Sequence, residues 1–129
     1  MKNVLLIDDD LNQLANLAVA LIESGCWVIP KMDAESAFAI VRENVRFDLI
    51  ILDYEMPGLR APAFMVMLRE LMPNVPVIAF TSFGNLDTYL KVIGLGAFEY
   101  INEPIEVEEL KRVVDAALLQ QGLQRTSPH

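Results

Sequence analysis

Apolar positions along this chain switch repeatedly between two spacings. Asn3–Ile7 is a short, nearly all-apolar run and predicts a buried strand. Leu11, Leu14, Ala15, Ala18, Leu21 and Ile22 then recur at helical spacing until Ser24-Gly25 stops them. Cys26–Ile29 predicts a second strand, closed by Pro30. Asp33 is suited to cap a helix whose apolar face is Ala37, Phe38, Val41 and Val45. Leu49–Leu52 is the most strand-like run and ends at Asp53. Pro57-Gly58 predicts a turn, and a third helix runs from about Pro62 to Met72. Pro73 and Pro76 bracket the link to a fourth strand, Val77–Phe80. A fourth helix is expected over Asn85–Ile93, ended by Gly94 and Gly96. Phe98–Ile101 is the fifth strand, and a last helix runs from Glu106 to about Leu119.

Short apolar strands joined through helices imply a parallel sheet covered on both faces. Right-handed crossovers then leave chiefly one topology, the flavodoxin-like doubly wound α/β fold with strand order 2-1-3-4-5 and five helices. The expected organisation is one domain over residues 1–121, with 122–129 as a tail.

Composition narrows the function. The 129 residues are 53% apolar, yet no run approaches the ~20 residues of a membrane span. Met1-Lys2-Asn3 leads straight into the first strand without a signal-peptide pattern, so a cytoplasmic protein is expected. The single cysteine, Cys26, fits a buried strand position. With ten basic against eighteen acidic residues the net charge is −8, and no basic stripe exists, which argues against direct nucleic-acid binding. The only histidine is the terminal His129, which argues against a histidine phosphodonor, a histidine metal site or a Ser-His-Asp triad.

In a sheet of this kind the site lies beyond the carboxyl ends of the strands. Those ends carry Asp8-Asp9-Asp10, Asp53, Thr81-Ser82 and Asn102-Glu103-Pro104. Asp10 is placed to cap the following helix. Asp8 and Asp9 follow a buried strand and would converge with Asp53, where carboxylates repel one another unless a cation joins them. A hard divalent ion such as Mg²⁺ resolves that conflict. A carboxylate beside Mg²⁺ can attack a phosphoryl group, and a hydroxyl such as Thr81 can hydrogen-bond its oxygens. The acidic first loop, with no glycine-rich turn, disfavours a dinucleotide or flavin.

At this point the sequence resembles a response-regulator receiver domain (CheY-like) over about residues 2 to 120. Ile7-Asp8-Asp9 resembles the family's acidic pair, and Leu52-Asp53-Tyr54-Glu55-Met56-Pro57-Gly58 its phosphoacceptor strand and turn. Thr81, Tyr100 and Pro104 fall at its conserved hydroxyl, its switch aromatic and the proline after strand five. Gly96-Ala97-Phe98-Glu99-Tyr100 further resembles receivers of the NtrC class, whose regulators carry an ATPase and a DNA-binding domain downstream. The resemblance implies that Asp53 accepts phosphate from a partner histidine kinase. It implies Mg²⁺ bound by Asp9, Asp53 and the backbone carbonyl of Glu55, with Asp8 acting mainly through water. Thr81 would contact the phosphoryl group and draw Tyr100 inward, altering a face read by an output domain, a partner protein or a second copy of the chain. The residues alone also allow an ordinary strand-end hydroxyl at Thr81 and a half-buried strand aromatic at Tyr100. Such a domain is a signalling acceptor that assists its own phosphorylation and dephosphorylation.

Two departures stand out. Where the family has a lysine before the proline after strand five, this chain has Glu103, which inverts the charge and favours an alternative reading as a phosphorylation-independent interaction module. Ala63-Phe64-Met65-Val66-Met67-Leu68 is apolar all round, which suggests a helix covered on more than one side or a partner surface. A haloacid-dehalogenase-type phosphatase finds its second acid at Glu55, but Pro57 stands where its threonine is required.

Overall fold

The computed structural model describes residues 1–82 and 84–126, with side chains described up to residue 122. Among them strands and helices alternate strictly: β1 (Lys2–Ile7), α1 (Leu11–Glu23), β2 (Cys26–Lys31), α2 (Ala34–Arg42), β3 (Leu49–Asp53), α3 (Ala61–Leu71), β4 (Val77–Thr81), α4 (Leu86–Gly94), β5 (Glu99–Asn102) and α5 (Val107–Thr126). The strands form one parallel sheet in the order β2-β1-β3-β4-β5. This is the expected doubly wound flavodoxin-like fold, and none of its described helices is long and apolar enough to cross a membrane.

The period-2 geometry of the strands divides the core into two layers. Val4, Leu6, Leu49, Ile51, Ile78 and Phe80 face α1 and α5, whose Leu14, Leu17, Leu21, Leu110 and Val114 cover them. Leu5, Ile7, Ile50, Leu52 and Ala79 face the opposite way, under Ala37 and Val41 of α2, Phe64 and Leu68 of α3 and Val92 of α4. Central strands buried on both faces must be apolar at every position, which is why β3 and β4 read as unbroken runs. Pro30 does not close β2 as expected but lies within it, opposite Leu6. An edge strand tolerates the missing N–H, because no neighbour on the outer side needs it.

Other details also differ from the sequence reading: Val45 lies beyond α2, which ends at Arg42, and Gly94 is the last residue of α4 and not a stop after it. On α1 the buried positions are Leu14, Leu17, Ala20 and Leu21, whereas Leu11, Ala15 and Ile22 are exposed. That helix is apolar around most of its circumference, so spacing alone does not select the face turned to the sheet. Helix α3 is amphipathic after all: Phe64, Met65 and Leu68 are buried, Met67 is half-buried, and Ala63 and Val66 face outward. Helix α5 continues past Leu119 and through Gly122 to Thr126, since one glycine costs a helix only about 1 kcal/mol. Residues 127–129 of the expected tail lie outside the described residues.

Candidate phosphoacceptor and metal site

Register builds the site. Ile7 of β1 lies opposite Leu52 of β3, so the next residues, Asp8 and Asp53, leave the sheet side by side. Asp53 pairs with Phe80, which puts Thr81 one step further along β4, and Thr81 pairs with Asn102 at the end of β5. Each of these residues is therefore placed by an apolar strand whose alternate side chains are fitted to two different helix layers, so that a one-residue slip would exchange them between layers.

Asp8, Asp9 and Asp53 each offer a carboxylate oxygen within 4.8 Å of the others. Asp8 is only 1% exposed. Its Oδ1 accepts the Asp10 backbone N–H at 3.0 Å, but its Oδ2 is buried without a partner. Burial, reinforced by the neighbouring charges of Asp53, Asp10 and Asp9, pushes the Asp8 carboxyl from the usual 3.8 to about 7. Burial likewise lifts Asp53 to about 6, helped by the charges of Glu103, Asp9 and Glu55 and opposed by the Glu55 N–H, which donates to Asp53 Oδ1 at 2.9 Å. A buried carboxylate oxygen with no donor is costly unless a proton or a cation meets it. Three hard oxygen donors around such an atom suit Mg²⁺ by size and charge.

The other expected residues surround this cluster without joining it. The Glu55 carboxylate lies beside Ser82, whose Oγ is 3.5 Å from its Oε2, and its charge raises the Asp53 carboxyl. Thr81 is buried at the end of β4. Tyr100 is turned into the protein at 8% exposure, its hydroxyl buried with no well-formed hydrogen bond and the Thr81 side chain as its polar neighbour. Burial raises its phenol above the usual value, Thr81 lowers it and the Glu55 charge raises it. The ring also meets Tyr89 of α4 edge-on, with centroids 6.0 Å apart and planes at 74°. Glu103 is half-buried; its backbone N–H donates to the Thr81 carbonyl at 2.8 Å, and its Oε1 accepts from Gln13 Nε2 at 2.8 Å. The Glu103-Pro104 peptide is cis. Gln13 was not among the expected site residues: three positions after the Asp10 cap, in the first turn of α1, a glutamine signals a helix start, and its partner Glu103 lies 90 positions away.

The family model for the response regulator receiver domain matches residues 4–115. The chain belongs to that family. It is 34% identical over 124 residues to the transcriptional regulatory protein PrrA of Mycobacterium tuberculosis, covering 96% of this chain and 53% of PrrA. It is 28% identical over 116 residues to ZraR of Salmonella typhimurium, covering 90% of this chain and 26% of ZraR. The chain thus spans about half or a quarter of the length of these relatives. Among solved structures, the beryllofluoride-activated NtrC4 receiver domain dimer superposes with a TM-score of 0.88 at 30% identity, covering 94% of this chain and 99% of that one. As a receiver domain, the protein is of the two-component signalling type.

Proposed function

We propose that this receiver accepts a phosphoryl group on Asp53 from the phosphohistidine of a partner histidine kinase and, with Mg²⁺ held at Asp8, Asp9 and Asp53, switches a partner-binding face in the cytoplasm. The observation that carries the reading is the convergence of three carboxylates at a receiver's strand ends, one with a buried oxygen that has no partner. Asp53 Oδ1 is held by the Glu55 N–H, so Oδ2 is assigned as the nucleophile. It bonds to phosphorus as the P–N bond breaks, and the imidazole leaves with the electron pair and takes up a proton. Asp8, Asp9, Asp53 and the backbone carbonyl of Glu55 would hold Mg²⁺, which when bound would offset the charge of the phosphoryl oxygens. Thr81 contacts the transferred group. Its neighbour Tyr100 and the ring of Tyr89 carry the change to the face formed by α4, β5 and α5. An output domain, a separate partner protein or a second copy of this chain reads that face. The test is incubation with acetyl phosphate and Mg²⁺ followed by intact-mass measurement. Wild type gains one phosphoryl group and Asp53→Asn gains none; an unlabelled wild type with Mg²⁺ bound refutes the acceptor role.

A second reading, a receiver that signals without phosphorylation, draws on Glu103. Its carboxylate is anchored by Gln13 and adds negative charge beside the acceptor. In that case Asp53→Asn leaves partner binding unchanged.

A further inference from the structure

Glu103 is fixed from two directions. Its backbone is tied to the end of β4 through the Thr81 carbonyl, and its side chain to α1 through Gln13 Nε2. Gln13 belongs to the same short network that shapes the acidic loop. Asp8 Oδ1 accepts the Asp10 N–H, and Asp10 Oδ1 accepts the N–H groups of Asn12 and Gln13 as it caps α1. Asp8, Asp10, Gln13 and Glu103 thus form one hydrogen-bonded path running from the buried carboxylate to the outer one.

The chemistry of the anchor matters. A lysine or arginine at position 13 would hold Glu103 and cancel its charge. A glutamine amide holds it and leaves the charge in place. Glu103 follows Asn102, the partner of Thr81, and its N–H donates to the Thr81 carbonyl, so it stands at the same carboxyl rim as Asp53, whose carboxyl its charge raises. The buried, unpartnered Asp8 Oδ2 is the independent sign that a cation belongs there.

We propose that Gln13 and Glu103 are a positioning pair for the divalent cation, holding a fourth carboxylate at the margin of the Asp8–Asp9–Asp53 cluster so that the cation binds more tightly. The inference rests on the Mg²⁺ reading above. Glu103 acts from outside the cluster, by its charge and by accepting hydrogen bonds from the cation's water shell, and Gln13 acts only through Glu103.

The test is calorimetric titration of Mg²⁺ into wild type, Glu103→Gln, Gln13→Ala, the double variant and Asp9→Asn. Urea unfolding without metal checks that each variant is folded. Removing the Glu103 charge should weaken Mg²⁺ binding about fivefold, because a charge near a divalent ion acts strongly even when partly screened. Gln13→Ala, which frees the carboxylate without removing it, should weaken binding about twofold. The double variant should bind no worse than Glu103→Gln alone, as expected for residues acting as one unit. Raising the salt concentration should narrow the gap between wild type and Glu103→Gln, a response that a merely structural tie would not give. If Glu103→Gln binds as tightly as wild type while Asp9→Asn does not bind, the pair is only a tie between α1 and the β5–α5 loop, and the inference is overturned. If wild type itself binds no Mg²⁺, the cation reading falls, and this inference with it.

Discussion

Replacing Asp8 by asparagine should make the metal-free protein more stable at neutral pH, although it removes a residue of the functional site. Asp8 is buried, its Oδ2 has no donor, and its carboxyl is raised from 3.8 to about 7. The folded state then binds this proton more tightly than the unfolded chain does. Stability from this group is therefore fully present below about pH 4 and is lost as pH rises towards 7. A shift of about three units corresponds nominally to about 4 kcal/mol. Water reaching the rim and relaxation of the loop reduce that, and about 2 kcal/mol is the expected size. Asparagine keeps an oxygen for the Asp10 N–H and carries no charge to desolvate. In EDTA, urea unfolding of wild type should show stability falling between about pH 4 and 7, with a shallower profile for Asp8→Asn, in which the raised Asp53 carboxyl still contributes its own slope. At pH 8 the variant should lead by about 2 kcal/mol, or roughly 6–10 °C in Tm for a domain of this size. Saturating Mg²⁺ should reverse the order, since ligand binding to the folded state stabilises wild type by RT ln(1 + [L]/Kd) and the variant by less. Equal pH profiles for the two proteins, or a less stable variant at pH 8 without metal, would refute the reasoning.

Glu103→Lys, assayed at saturating Mg²⁺, should raise the rate of acetyl-phosphate labelling at Asp53 by about fivefold or more, since even 1 kcal/mol of relieved repulsion is worth that factor; equal rates would remove Glu103 from control of the chemistry. Phe64→Ala should cost about 3–5 kcal/mol in urea unfolding, because the ring is fully buried and packs edge-on against Phe38 at 5.1 Å, whereas Val66→Glu on the outer face of the same helix should cost less than about 0.5 kcal/mol. Asn85→Ala should remove the cap that accepts the Thr88 N–H at 2.9 Å and cost about 1 kcal/mol, with hydrogen exchange accelerated in α4 before the central strands.

Much of this protein is legible in its sequence because the sheet leaves its central strands little freedom. Strands covered on both faces have to be continuous apolar runs, so β1, β3 and β4 announce themselves, and the polar residues that end them can only stand at the carboxyl rim. Side-chain caps are equally local: Asp10, Asp33 and Asn85 each accept an N–H two or three residues on, within the reach of a sequence pattern. The face of α1 was not legible, because apolar residues surround most of that helix and only packing against β1 and β2 chooses among them. The apolar run in α3 misled for the converse reason: its small and flexible residues read as a buried helix, but the sheet offers it one face. The acids at 8, 9 and 53 were readable as candidates, yet their approach to within 4.8 Å depends on β1 and β3 being neighbours in register. The orphaned Asp8 oxygen, the inward Tyr100 and the bond from Gln13 to Glu103 belong to tertiary structure alone. Periodicity reports how a residue relates to its own element; what a side chain meets across 45 or 90 residues of chain is decided only when the elements pack.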